Sequence, residues 1–196
     1  MLRNIIKQIN IKEENKMSIL PVLDSPNDLL MKLCRESMRT YTAKSIEEVS
    51  DHFFNFCITA HAHRDWIIKY SDLDKKSVHC YFNQYETLRM CRDIANASKH
   101  FGLDRQKPSS VLSVQEKELS FRPMTTGEVD PKRLIIKPSL IIISENGTKV
   151  PLKFFMEECI ESILKVLKNF SIEHKENIFH TKSLDIKVGR FTVTFI

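Results

Sequence analysis

Leu140-Ile-Ile-Ile-Ser-Glu-Asn-Gly-Thr-Lys-Val-Pro-Leu152, running straight into Lys153-Phe-Phe-Met-Glu-Glu-Cys-Ile-Glu-Ser-Ile-Leu-Lys-Val-Leu-Lys-Asn-Phe170, decides the fold. Asn146-Gly147 sits between an Ile-rich run and a second short run. Both residues tolerate the positive φ of a tight hairpin turn, so a β-hairpin is predicted over about 139–152. Directly afterwards Phe155, Cys159, Ile163, Val166, Leu167 and Phe170 recur at helical spacing, with acids early and lysines late, as the helix dipole favours. A strand pair feeding a long amphipathic helix makes the chain a mixture of the two element types.

Upstream of this stretch the signals are helical. Asp24-Ser25-Pro26-Asn27 is a start signal followed by Leu29, Leu30, Leu33, Cys34 and Met38. Ser45-Ile-Glu-Glu48 has the form of a capping box and opens a second helix through Val49, Phe53, Phe56, Cys57, Ala60 and Ile67, ending near Tyr70. After a polar break at Asp72–Lys76, a third helix is predicted from about Ser77 to Phe101, stopped by Gly102. Short β-like runs follow at Val111–Val114, Glu118–Arg122 and Lys132–Lys137. Leu184–Ile196 alternates around Gly189 and reads either as a strand pair or as a tail.

The predicted fold class is therefore mainly α with a small β excursion (α+β): a four-helix bundle-like core plus a β-hairpin before the last long helix. The organisation read from the chain is an N-terminal extension (1–24), a helical domain with the hairpin inserted (25–170) and a C-terminal tail (171–196). Met17 is an alternative start that would leave the first sixteen residues outside the domain.

Composition limits the function classes. With 42% hydrophobic and 28% charged residues among 196, the chain has the balance of one globular domain. Four Gly and seven Pro favour helices over turn-rich architectures. A net charge of +5 is compatible with nucleic acid without demanding it. The five cysteines are odd in number and lack paired spacing, so all are expected to be reduced core residues. No signal-peptide core and no membrane-length apolar run occurs, and a cytoplasmic location is expected. Gly-rich phosphate loops, nucleophile elbows and paired-Cys zinc spacings are missing from the sequence, and no cofactor is predicted.

Candidate chemistry gathers on the third helix. With Arg92 at zero and 100° per residue, Asn96 falls at about 40°, His100 at about 80°, Lys99 at about −20° and Asp93 at about 100°. Five polar residues thus share roughly 120° of arc. Three readings stand side by side: a solvated face, a protein-contact face, and a catalytic or nucleic-acid face. Asn gains nothing from an exposed mid-helix position, and Ala95, Ala97 and Ser98 around it admit close approach.

Arg92-Asp-Ile-Ala-Asn-Ala-Ser-Lys-His100, on a late helix of a helical bundle, resembles the helix of HEPN-type domains. The preceding Phe53–Trp66 helix is similar to one of a helix pair in small bacterial proteins. The likeness spans roughly Ser45–Phe101. It implies a bacterial phage-defence or toxin–antitoxin module, a homodimer, RNA as partner and metal-independent endoribonuclease activity. Seven residues lie between Arg92 and His100, a wider spacing than the family's. Carried over residue by residue, the catalytic set is Arg92, Asn96 and His100, with His100 moving the proton and Arg92 stabilising phosphorane charge. Lys99, Asp93, Arg64 and Asp65 are the substrate-binding candidates.

Beside this stands a second expectation, a non-catalytic helical interaction or dimerisation protein with a protein partner, docking through the third helix. On the second helix, His61 and Asp65 are four residues apart, as a chelating pair would be, but spacing supplies no third ligand and no metal is predicted. Arg64 or Asp65 is expected either to face Asn96 and His100 or to make polar contacts between helices, and Trp66 is expected in the core.

Overall fold

The computed structural model describes residues 20, 22–99, 109–122, 124–125, 128–130, 132–174, 184–188 and 191–195. Residues 1–19 and 21 of the N-terminal extension, Met17 among them, together with His100 and Gly102, lie outside the described residues, as does the side chain of Lys99.

Helix α1 (Pro26–Thr42) begins at Ser25, whose Oγ accepts the Asp28 amide at 3.2 Å. Helix α2 (Ile46–Ser71) begins at Ser45, which accepts the Glu48 amide as the capping box requires. The Glu48 carboxylate reaches back one residue further than expected, to the Lys44 amide at 2.8 Å. Asp72 ends α2 in the left-handed region, at φ 49°.

The single third helix expected over Ser77–Phe101 is two helices, α3 (Lys75–Phe82) and α4 (Glu86–Lys99). Between them the chain turns tightly: the amides of Gln84 and Tyr85 bond back to the carbonyls of Tyr81 and Phe82. Satisfying these amides three residues back rather than four breaks the helical run, so the apolar side of α3 and that of α4 are set independently.

The β-like runs at Val111–Val114 and Glu118–Arg122 are one strand, β1 (Val111–Phe121). A small pair, β2 (Met124–Thr125) and β3 (Glu128–Val129), follows. Then β4 (Ile135–Ser144) pairs antiparallel along all of β1, and β5 (Lys149–Pro151) pairs with Ile141–Ile143 on the opposite edge of β4. The hairpin predicted over 139–152 is present, but its turn is not the two-residue kind. The Gly147 amide bonds the Ser144 carbonyl and the Ser144 amide bonds that of Thr148. Gly147 alone takes a positive φ, +82°, so the loop is a three-residue turn closed by a glycine bulge. A Cβ at Gly147 would meet open space, leaving only the backbone penalty. Gly147→Ala is expected to cost about 1 kcal/mol and Gly147→Asn less, measured by urea denaturation.

Helix α5 (Leu152–Asn169) then returns across the bundle. Helix α2 is central, packing against α1, α3, α4, α5 and β4. Phe56, Cys57, Ile67, Phe155, Ile160, Ile163 and Leu167 are fully buried at the centre, joined by Leu140 and Ile142 from β4. The mainly α fold with a small sheet is the one expected. Trp66 is only half-buried and sits outside the central cluster. The last elements, β6 (Leu184–Val188) and β7 (Phe191–Phe195), pair antiparallel, which makes this segment the strand pair rather than an unpaired tail. No helix among the described residues is long and apolar enough to cross a membrane.

Candidate functional site

The polar arc of the third helix lies on α4 and is narrower than its angles implied. Met90, Cys91 and Ala95 are buried on the opposite side, as expected. Asp93, assigned to substrate, is also buried, with its carboxylate fully engaged. Oδ2 accepts the Ser110 amide at 2.7 Å and Oδ1 accepts Arg92 Nε at 2.8 Å. Asp93 therefore fixes the chain at the entrance to β1, since a backbone N–H buried at that point must find an acceptor. Asp93→Ala leaves that amide unpaired and is expected to cost about 2–3 kcal/mol. Asp93→Asn, which keeps an acceptor, should cost clearly less in the same denaturation series.

Arg92 remains partly exposed, and its guanidinium is held on two sides. Besides Asp93, Nη1 donates to Asn83 Oδ1 at 3.4 Å, so the α3–α4 break contributes to its placement. Asn96 is half-exposed one turn further along. Arg64 and Asp65 pair with each other at 3.1 Å rather than bridging helices. Both act electrostatically on His79 of α3: burial first, then Arg64, lower the His79 pKa, and Asp65 opposes them.

The structure also brings together a set that the sequence reading missed. On α1, Glu36 is almost wholly buried against α2. Arg39 donates to Glu36 Oε1 at 2.8 Å, Lys32 approaches the same oxygen at 3.8 Å, and His52 Nδ1 stands 3.5 Å from Oε2. Lys32 also donates to Thr59 Oγ1, and Thr59 donates to the Asn55 carbonyl. One turn on, His63 is fully buried, with Nδ1 2.8 Å from the Thr59 carbonyl and, among the described residues, no partner for Nε2. Burial lowers the Lys32 pKa despite Glu36, and lowers that of His63 to about 4. The available signal was Glu36 itself. It continues the apolar stripe Leu29-Leu33 at the next helical step, where a carboxylate must be paired to be tolerated.

A small notch lies between the start of α4, the β4–β5 turn and α5, with Glu86, Thr87, Ser144, Asn146 and Glu158 on its walls. Its volume of about 70 Å³ admits a few water molecules rather than an organic substrate. Among the described residues, no group of three or more His, Cys, Asp or Glu is arranged to hold a metal ion.

The most exposed apolar surface belongs to the β1–β4 ribbon. Leu112, Val114, Leu119 and Phe121 of β1 and Ile136 of β4 are exposed, as are Leu134 just before β4 and Val129 of β3. Beyond Val111 and Ser113, β1 is open to solvent along its length. Among the described residues its outer edge is unpaired in the sheet order, and β5 covers β4 only at Ile141–Ile143, which leaves Ile135–Leu140 as a second open edge. Lys137, opposite Leu119 in the outer half of the ribbon, rests its ammonium 3.7 Å above the Tyr41 ring of α1, tying the ribbon to the bundle.

These features define a helical α+β domain with a protruding two-stranded ribbon. No family model, no curated protein and no solved structure matches the chain.

Proposed function

We propose that the protein is an interaction module that docks through its β1–β4 ribbon, with a second copy of the chain as the partner. The observation carrying this is the concentration of exposed apolar side chains on an arm with two open strand edges. Seven of the twelve large hydrophobic residues exposed among the described residues fall between Leu112 and Ile136. Isolated exposed apolar residues are ordinary, but a cluster on unpaired edges is a surface prepared for contact. An antiparallel strand edge is self-complementary about a two-fold axis, so a second copy of the chain can pair with it directly. This keeps the docking function expected of the bundle and moves it from the third helix to the ribbon.

Sedimentation equilibrium at micromolar concentrations tests the reading. The native chain is expected to sediment as a dimer, and the double variant Phe121→Glu, Ile136→Lys as a folded monomer. A monomeric native chain throughout the range sinks the proposal.

A second reading is favoured by the two-sided restraint on Arg92. A guanidinium held by Asp93 and Asn83, a turn from Asn96, is preorganised for phosphate. In this reading the protein is a HEPN-like domain of a bacterial defence or toxin-type module, cutting RNA without metal through Arg92, Asn96 and His100. Purified protein should then cleave RNA in the presence of a chelator and lose that activity in Arg92→Ala and His100→Ala. RNA left intact across varied substrates removes it.

A further inference from the structure

Three of the five cysteines converge in the core from three different helices. Cys57 of α2, Cys91 of α4 and Cys159 of α5 are each fully buried, and Cys91 Sγ lies 3.5 Å from Cys159 Sγ. The other two lie apart: Cys34 is half-buried and Cys80 is exposed. Cys80 departs from the expectation that all five are core residues, because α3 is short and buries only Val78 and Phe82.

Two thiols at 3.5 Å are already in van der Waals contact, and a disulfide needs its sulfurs about 2.05 Å apart. Closing that gap takes an approach of about 1.5 Å between sulfurs that face each other across one helix–helix contact. Holding them there makes the second step of oxidation intramolecular.

We propose that Cys91 and Cys159 are an oxidisable pair, converted to a disulfide that staples α4 to α5. The oxidant is of the peroxide or small-molecule disulfide class. With a disulfide oxidant, one thiolate attacks a sulfur of the reagent and releases one reduced thiol. The second cysteine thiolate then displaces the other reagent thiol. Two protein thiols lose two electrons and two protons, and the reagent becomes two thiols. With hydrogen peroxide, the first thiolate becomes a sulfenic acid with release of hydroxide. The second thiolate then expels a second hydroxide as the S–S bond forms, and the two hydroxides take up the two thiol protons as water.

Burial sets the conditions of this reaction. It raises the Cys91 and Cys159 thiols well above the ordinary range, so few are thiolates at neutral pH, and the reaction is slow and quickens as pH rises. Cys57 stands beside both without being required for the bond. The staple spans 68 residues of sequence and joins the helix carrying Arg92 to the helix following the hairpin.

The test uses the full chain, folded, with Cys80 first blocked by N-ethylmaleimide. The protein is incubated with 2-hydroxyethyl disulfide or hydrogen peroxide at pH 8, then unfolded in a second alkylating reagent of different mass and mapped by peptide mass spectrometry. The expected result is a Cys91–Cys159 linked peptide with Cys57 alkylated by the second reagent. Tm should rise by about 5–10 °C, reversibly with dithiothreitol. Cys57→Ser should form the same link, and Cys159→Ser should form none. Both thiols still free after Cys34 has oxidised, a link made through Cys57 instead, or a lower Tm in the linked protein would each overturn the proposal.

Discussion

Phe155→Ala is expected to destabilise the protein by about 3–5 kcal/mol. Phe155 has no solvent exposure, and its ring meets Phe53 edge-on with centroids 5.7 Å apart; Phe53 in turn stacks on Phe56 at 6.4 Å. This aromatic row joins the start of α5 to the middle of α2, so truncation opens a cavity where the sheet-bearing part meets the bundle. The neighbouring Phe154, 62% exposed, is the internal control. Phe154→Ala is expected to shift stability by no more than about 0.5 kcal/mol. Urea denaturation of the two variants side by side decides the matter, and equal losses would refute the account of the core.

The second large effect is a dependence of stability on pH that comes from His63. Its imidazole is fully buried, and desolvation lowers its pKa to about 4 from an unfolded value near 6.5. Above pH 6.5 both states hold it neutral and it adds no pH dependence. As pH falls from about 6.5 towards 4, the unfolded chain takes up the proton and the folded one does not, so unfolding becomes progressively easier. Over that window the loss reaches about 3 kcal/mol. The Thr59 carbonyl at 2.8 Å opposes the shift, and Lys32 close by adds to it. His63→Leu should remove this part of the acid sensitivity. At pH 7 it should change stability by no more than about 1 kcal/mol, because the lost bond from Nδ1 to the Thr59 carbonyl is offset by removing a buried Nε2 that has no partner among the described residues. Comparing the two proteins between pH 7 and 4.5 isolates His63 from the carboxylates. Parallel curves would show that His63 is protonated in the folded protein.

The role of His63 was invisible in the sequence for a definite reason. His61-Ala-His63-Arg64-Asp65 reads as a polar segment of a helix. Which of its residues turns inward depends on where α1 lies, and only the partner helix defines that. The same holds for Asp93. Helical angles placed it with Arg92 and Asn96, but the Ser110 amide seventeen residues later turns it into an interior acceptor. The break at Asn83–Tyr85 was hidden as well, since an apolar period continued through it and no Gly or Pro marked the place.

The sequence by itself determined the element types and most of their starts. Ser25 and Ser45 cap helices because their hydroxyls answer amides that every helix leaves open, and Gly147 turns the chain because it alone escapes the Cβ penalty at positive φ. These are local effects, settled within four or five residues. The tertiary structure decided which polar groups are interior, which strand edges stay open and which thiols meet. Glu36 and Asp93 are held inside by partners well beyond their own helical turn, His52 and the Ser110 amide, and Cys91 meets Cys159 from 68 residues away. The ribbon stands open because β5 ends after three residues. Burial and contact depend on the whole packing, which no local pattern encodes.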